Sequence, residues 1–394
     1  MPYSDPNNTG SEKMMKFVAK TLYGLETVLA EELVSLGAAD IEKVNRAVTF
    51  SGDRNLLYRV NYCSRTALSV LMHVADFRIR SKDDLYREGS KIGWDKYLDP
   101  DETFSIAPVV NSPHFSHTGY PGLILKDAIA DYFRKRFGRR PSVNTTDPGI
   151  LINLHISNDN VTVSIDSSVV PLFKRGYRQE QSIAPLNEVL AAGILLLSGW
   201  KASASLLDPM CGSGTIPIEA GLLACNIPPG KFRKFFGFQK WKDYDEELFD
   251  KIRSEADNRI VSSAVSISGS DISEKAVGQA RANATQAGLK DMVSIEVADF
   301  SKLNSGGENG FLFLNPPYGE RLQQGETDML YNMIGSTLKH NFPGTTAWLI
   351  TSNKDSLKQI ALKPAEKHTL YNGALECTLL KYEMYSGSKK IVQP

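Results

Sequence analysis

From about residue 189 the chain alternates short β-branched runs with helical stretches. The runs are ASASLLDP, VSISGSDIS, VSIEVADF, GFLFLNPP and TAWLITS. Brief apolar strands that recur with a helix between them need cover on both faces. That requirement predicts a doubly wound, mostly parallel α/β sheet. ECTLLKYEMY follows a turn at Asn372–Gly373 and is expected to close the sheet as an antiparallel pair. No internal repeat is visible.

The chain before residue 189 reads differently. KFVAKTL is a strand, and GLETVLAEELVSLG places Leu25, Val28, Leu29, Leu33 and Leu36 at helical spacing before Gly37 as a C-cap. IEKVNRAVTFSG resumes as strand pairs, so residues 16–60 form a small α+β unit. Residues 61–168 form a second, with ETFSIAPVV as a strand and PGLILKDAIADYFRKRFG as a helix. ILINLHIS and NVTVSIDSS follow as a hairpin around Asn158–Asn160. Residues 1–15 read as a disordered lead, 169–188 as a linker and 189–394 as the α/β domain.

With 394 residues there is room for two or three cores, and a formal net charge of zero leaves only local patches to attract nucleic acid. Val189–Leu197 is far shorter than the roughly 20 residues that span a bilayer, and the first residues have no apolar core like that of a signal peptide. Cys63, Cys211, Cys225 and Cys377 have no paired spacing, which fits a reducing cytoplasm and opposes a disulfide framework or a zinc site. His114 and His117 have no acidic or cysteine partner nearby in sequence and read as loop residues. A cytoplasmic monomer with no metal and no membrane contact is expected.

LLDPMCGSGTIPIEAGLLA sets a glycine turn directly after the first strand of the α/β sheet and leads into a helix near Thr215. Ligands bind such sheets at the carboxyl ends of strands, and Gly212 and Gly214 let backbone approach a ligand where a Cβ would collide. A purely structural strand-to-helix turn satisfies the same residues. Phosphate-loop and dinucleotide spacings are absent. The next strand ends at Asp271, whose two carboxylate oxygens suit a ribose diol; the third ends at Asp299–Phe300, suited to an adenine amine and ring. Both aspartates also make ordinary helix N-caps. The fourth run, FLFLNPPYGERL, ends in Asn315, Pro316, Pro317 and Tyr318. A turn accounts for the prolines and Gly319 but leaves Asn315 and Tyr318 unexplained.

Together these residues resemble class I S-adenosylmethionine-dependent methyltransferases. DPMCGSG resembles their cofactor loop, and NPPY the fourth-strand motif of those that methylate amino groups. FKRGYRQEQSIAPLNEVLAAGIL (residues 173–195), preceded by PSVNTTDP, resembles the bacterial THUMP-containing RNA guanine-N2 methyltransferases, chiefly the large-subunit rRNA type in a short form. The resemblance covers nearly the whole chain. It implies ferredoxin-like and THUMP domains ahead of a Rossmann-like catalytic domain, and S-adenosylmethionine as cofactor. It implies cofactor contacts from Ile183, Pro185, Asn187, Asp208, Pro209, Met210, Cys211, Gly212, Gly214, Thr215, Asp271, Ile272, Asp299 and Phe300. Asn315, Pro316, Pro317 and Tyr318 become the catalytic set. The Asn315 amide oxygen and Pro316 carbonyl would accept the two hydrogens of an exocyclic amine, and Tyr318 would stack an extruded base.

An RNA partner, rRNA first and tRNA second, directs attention to two basic clusters. FRKRFGRR carries Arg134, Lys135, Arg136, Arg139 and Arg140, which equally suit a solvated helix end. PGKFRKFFGFQKWK carries Lys231, Arg233 and Lys234 among aromatic residues that could stack bases or pack on the domain. Arg175 is a further expected RNA contact. Adenine-N6 methylation of DNA or RNA, and an inert RNA-binding assembly factor, are the competing functions. Retention on RNA against duplex DNA separates the first, and cofactor binding the second.

Overall fold

The computed structural model describes residues 14–178, 185–304, 309–317 and 324–385. Of the expected site residues, Ile183 and Tyr318 lie outside the described residues. By its contacts the chain divides into two compact units: residues up to Lys20 with Ala30–Leu172 and Arg233–Ser254, and Thr21–Leu29 with Phe173–Phe232 and everything from Glu255.

The first unit has strands β1 (Met15–Lys20), β2 (Ala39–Val44), β3 (Ala47–Gly52), β4 (Ser69–Arg78), β5 (Thr103–Asn111), β6 (Ser142–Val143), β7 (Ile150–Ser157) and β8 (Asn160–Asp166). Its helices are α1 (Glu26–Leu36), of which only the part from Ala30 belongs here, α2 (Arg54–Cys63), α3 (Lys82–Gly89) and α4 (Tyr120–Phe137). Local signals end these elements as expected. Gly37 and Gly138 take positive φ after α1 and α4, and Asn158 does so in the β7–β8 turn. The residues on either side of position 60 share one eight-stranded sheet, in the order β2-β3-β1-β4-β8-β7-β5-β6. The ten-residue strand β4 joins them, pairing with β1 (Phe17↔Met72) on one edge and β8 (Leu71↔Asp166) on the other.

Residues 233–254 complete this unit's core. Phe238 is fully buried and stacks on Tyr58 with ring centroids 4.3 Å apart, while Phe249 meets Phe238 edge-on at 5.0 Å. Phe236 and Trp241 are buried as well. Of the two readings of the rings in PGKFRKFFGFQKWK, packing on the domain holds for Phe236, Phe238 and Trp241, because desolvating a ring inside the protein is a large gain.

The second unit has β9 (Leu206–Asp208), β10 (Ile267–Asp271), β11 (Val293–Val297), β12 (Phe311–Leu314), β13 (Thr346–Thr351), β14 (Glu366–Asn372) and β15 (Leu375–Glu383). The helices are α5 (Glu188–Leu197), α6 (Thr215–Ala224), α7 (Glu246–Asp257, shared with the first unit), α8 (Glu274–Gln286) and α9 (Gln324–Asn341). The sheet order is β11-β10-β9-β12-β13-β15-β14. The first five strands in that order are parallel, and β15 runs antiparallel to both neighbours. Sheet order reverses between β9 and β12, where a doubly wound sheet opens a crevice beyond its strand ends. Leu312, Leu314, Tyr331, Ile334 and Leu349 form a core that fixes β12 under α9.

Candidate active site

A cavity of about 720 Å³ occupies that crevice. Every described residue expected in the glycine loop lines it except Gly214, which sits just behind, and so do Asp271, Ile272, Asp299, Phe300, Asn315, Pro316 and Pro317. Four strand ends therefore meet around one space.

The loop after β9 is built from inside outward. Asp208 is buried, and its Oδ1 accepts the Met210 N–H at 3.1 Å. Burial, with the negative charge of Asp271 adding to it, pushes the Asp208 carboxyl up to about 8. Burial also pushes the Cys211 thiol far up, so Cys211 is an apolar lining group rather than a nucleophile. Gly212 and Gly214 both take positive φ (+54° and +82°). Space around Gly212 is open, whereas a Cβ on Gly214 would lie 3.0 Å from Ala280 Cβ on α8. Gly214 thus serves helix packing, and Gly212 is the glycine of this loop that faces open space in the cavity.

Asp271 closes the loop from β10. Its Oδ2 accepts the Gly212 N–H at 3.0 Å and its Oδ1 the Ser273 N–H at 2.9 Å, while Ser273 caps α8. The carboxylate is therefore not the helix cap, and it retains lone pairs toward the cavity. Ile272, 76% exposed, stands beside it on the rim. Asp299 does cap: its Oδ1 accepts from Ser301 N–H at 3.0 Å and Oγ at 2.7 Å, and the Ser301 hydroxyl holds its carboxyl below the usual range. Phe300 is buried and stacks on Phe342 at 5.6 Å.

Beyond β12, Pro316 is buried and Pro317 half-buried. The Asn315 side-chain oxygen is shielded from solvent and has no hydrogen-bond partner among the described residues. An unpaired buried amide oxygen is costly in a folded protein and calls for a ligand or a reaction to explain it.

Three expected contacts are corrected. The Asn187 side chain caps α5, with Oδ1 accepting from Val189 and Leu190 N–H, and Asn187 does not line the cavity; the expected Pro185 does, with Leu186 beside it. Arg175 is 1% exposed and pairs with Glu219 at 3.5 Å, which removes it from any RNA. Arg233 donates to the carbonyls of Pro171 (2.9 Å) and Val170 (2.8 Å) and lies over the Phe236 ring, so its fork is committed to the fold. Lys231 pairs with Asp257 at 2.5 Å and Lys234 is exposed. Arg134, Lys135, Arg136, Arg139 and Arg140 are all exposed on and after the last turns of α4, three of them beside Asp131, Asp95 or Asp101. His114 does have an acidic neighbour, Asp159 of the hairpin turn, at 2.9 Å. Among the described residues no three His, Cys, Asp or Glu side chains gather as a metal site, and no helix is long and apolar enough to cross a membrane.

Sequence reasoning missed Leu186, Ser213, Ile216, Gln279 and Met333, which also line the cavity. Ser213 and Ile216 flank the recognised glycines and were within reach; the other three arrive from elements whose packing is set by the fold.

The model of an RMKL-like methyltransferase domain matches residues 175–381, that of a THUMP domain residues 80–166, and that of an RlmL ferredoxin-like domain residues 16–71. A Synechocystis sp. protein named "Putative RNA methyltransferase slr0064" is 39% identical over 94% of this chain and 97% of its own. Ribosomal RNA large subunit methyltransferase K/L of Syntrophotalea carbinolica is 37% identical over 94% of this chain and 54% of its own. The chain thus spans about half the length of that relative. The crystal structure of SMU.472 complexed with SAH superposes with a TM-score of 0.87 at 32% identity, covering 96% of this chain and 100% of that one. With a matching domain over more than half its length and a full-length relative at this identity, the chain belongs to the RMKL-like methyltransferase family.

Proposed function

We propose that the chain methylates the exocyclic N2 amine of a guanine in structured RNA, with large-subunit rRNA as substrate and S-adenosylmethionine as cofactor. The observation that carries the reading is the shielded, unpartnered oxygen of Asn315, which shares one cavity with the glycine loop and Asp271. The names of the relatives and the SAH complex of SMU.472 point the same way.

The residues fit that cofactor. Gly212 leaves open backbone, Asp271 has acceptor capacity for a diol, and Ile272 offers an apolar rim. When bound, the cofactor supplies an electrophilic methyl group. The chain's own part is orientation. The lone pair of a base amine is delocalised into the ring, so the nitrogen is a poor nucleophile. Asn315 Oδ1 would accept one amine hydrogen and the Pro316 carbonyl the other, favouring a more tetrahedral nitrogen. Proline fixes the turn that carries this carbonyl, so little reorganisation remains at the moment of reaction. No general base is needed before attack, because the proton can leave to solvent afterwards. The exposed cations of α4, with Lys234, would meet phosphates.

Nucleoside mass spectrometry of rRNA and tRNA from a deletion strain tests the reading. Loss of N2-methylguanosine from large-subunit rRNA is expected. Loss from tRNA alone would move the substrate, and loss of N6-methyladenosine would overturn the guanine assignment.

A further inference from the structure

Arg178 belongs to none of the groups expected in the site, yet its guanidinium reaches three parts of the cavity wall. Nη1 donates to Ser213 Oγ at 2.9 Å and Nη2 to Thr215 Oγ1 at 3.0 Å, while Nη2 also approaches the Leu186 carbonyl at 3.5 Å. Ser213, Thr215 and Leu186 all line the cavity. Nε donates to Glu188 Oε1 at 2.9 Å, and the ion pair is largely buried.

Stability alone is a weak reason for this arrangement. The N-terminus of α6 is the positive end of a helix dipole and disfavours a neighbouring cation. Two charges have also been taken out of water, and such a pair seldom returns its desolvation cost. Burial pushes the Glu188 carboxyl up even with Arg178 beside it. A planar fork with fixed donors does, however, set the positions of two hydroxyls and a carbonyl at once, which a flexible ammonium cannot do. Arg175, three residues earlier, makes the contrast. It pairs with Glu219 one turn further along α6, where Tyr177 also donates to Glu219 at 3.1 Å, and Glu219 does not line the cavity.

We propose that Arg178 is a positioning residue for cofactor binding: it locks the turn Ser213–Thr215 and the Leu186 wall in the shape that receives the ligand, with Glu188 as its counter-charge. The inference rests on the cofactor reading above.

Calorimetric titration of the full chain with S-adenosylhomocysteine tests it, using Arg178→Lys, Ser213→Ala, both together, and Arg178→Met with Glu188→Gln. The last variant removes cation and counter-charge at once, so no buried carboxylate is stranded. Arg178→Lys and the charge-free variant should bind at least about tenfold more weakly, and Ser213→Ala about threefold. Adding Ser213→Ala to Arg178→Lys should cost nothing further, because both break one shared contact. A merely structural role would move the unfolding midpoint without this non-additivity. Affinity within about twofold of wild type in either arginine variant, or losses that add, overturns the proposal. If the arginine variants do not unfold cooperatively, Ser213→Ala decides, and unchanged affinity there overturns it too. Wild type that fails to bind the probe overturns the cofactor reading first and this inference with it.

Discussion

The Asp271 carboxylate accepts the backbone N–H of Gly212 at 3.0 Å, so the end of β10 fastens the turn that follows β9. One residue thereby shapes the loop and lines the cavity. Asp271→Asn keeps an acceptor for Gly212, whereas Asp271→Ala removes it. Calorimetry with S-adenosylhomocysteine should show a loss of about 1–3 kcal/mol for alanine and a smaller one for asparagine. Equal affinities in all three proteins would mean that Asp271 only supports the turn.

Asn315→Ala should leave cofactor affinity within about threefold and lower turnover by about a hundredfold or more, since its proposed contact strengthens as the amine is attacked. The same change should not lower the unfolding midpoint, because the amide oxygen it deletes has no partner among the described residues. Parallel loss of cofactor affinity and activity would reassign Asn315 to ligand binding.

Asp208 gives a pH signature. Its carboxyl titrates at the ordinary 3.8 when unfolded and at about 8 when folded. Between those values the folded chain holds a proton that the unfolded chain has lost, so this group lowers stability as pH rises from 4 towards 8. Asp208→Asn should raise the unfolding midpoint by about 3–6 °C more at pH 8 than at pH 5. A difference independent of pH would show that the proton is not held there.

The two basic clusters should separate. Neutralising Lys135 with Arg140 should weaken RNA binding across sequences and flatten its salt dependence, as each lost phosphate contact releases fewer counterions. Arg233→Ala should lower the unfolding midpoint instead, because the Val170 and Pro171 carbonyls lose their donor. RNA affinity measured at several salt concentrations, beside thermal unfolding, distinguishes the two effects.

What could be read from the chain itself follows a physical line. The strand ends of the α/β sheet were legible because strand period, glycine turns and terminal acids are local signals, and the switch point between β9 and β12 then brings Asp208, Asp271, Asp299 and Asn315 together. Arg175 and Arg178 look alike in FKRGYR; only packing sends one to Glu219 and the other to Ser213. The rings of PGKFRKFFGFQKWK were ambiguous because stacking on a base and stacking on Tyr58 need the same side chain. The join through β4 was hidden because sheet pairing between distant strands leaves no mark in either strand alone.

The way residues 21–29 and 233–254 are shared out sets an order for assembly as the chain leaves the ribosome. The first unit's aromatic core lacks Phe236, Phe238 and Phe249 until the glycine loop and α6 have already been made. Tyr23 is among the earliest described residues, yet its ring partner Tyr371 is among the last. The first unit can be finished only after Phe173–Phe232 of the second has been made, and it is complete at Ser254 while the second still awaits everything from Glu255. Nascent chains stalled before Phe236 would leave Tyr58 and Tyr62 uncovered, and that exposed surface is where a chaperone would act.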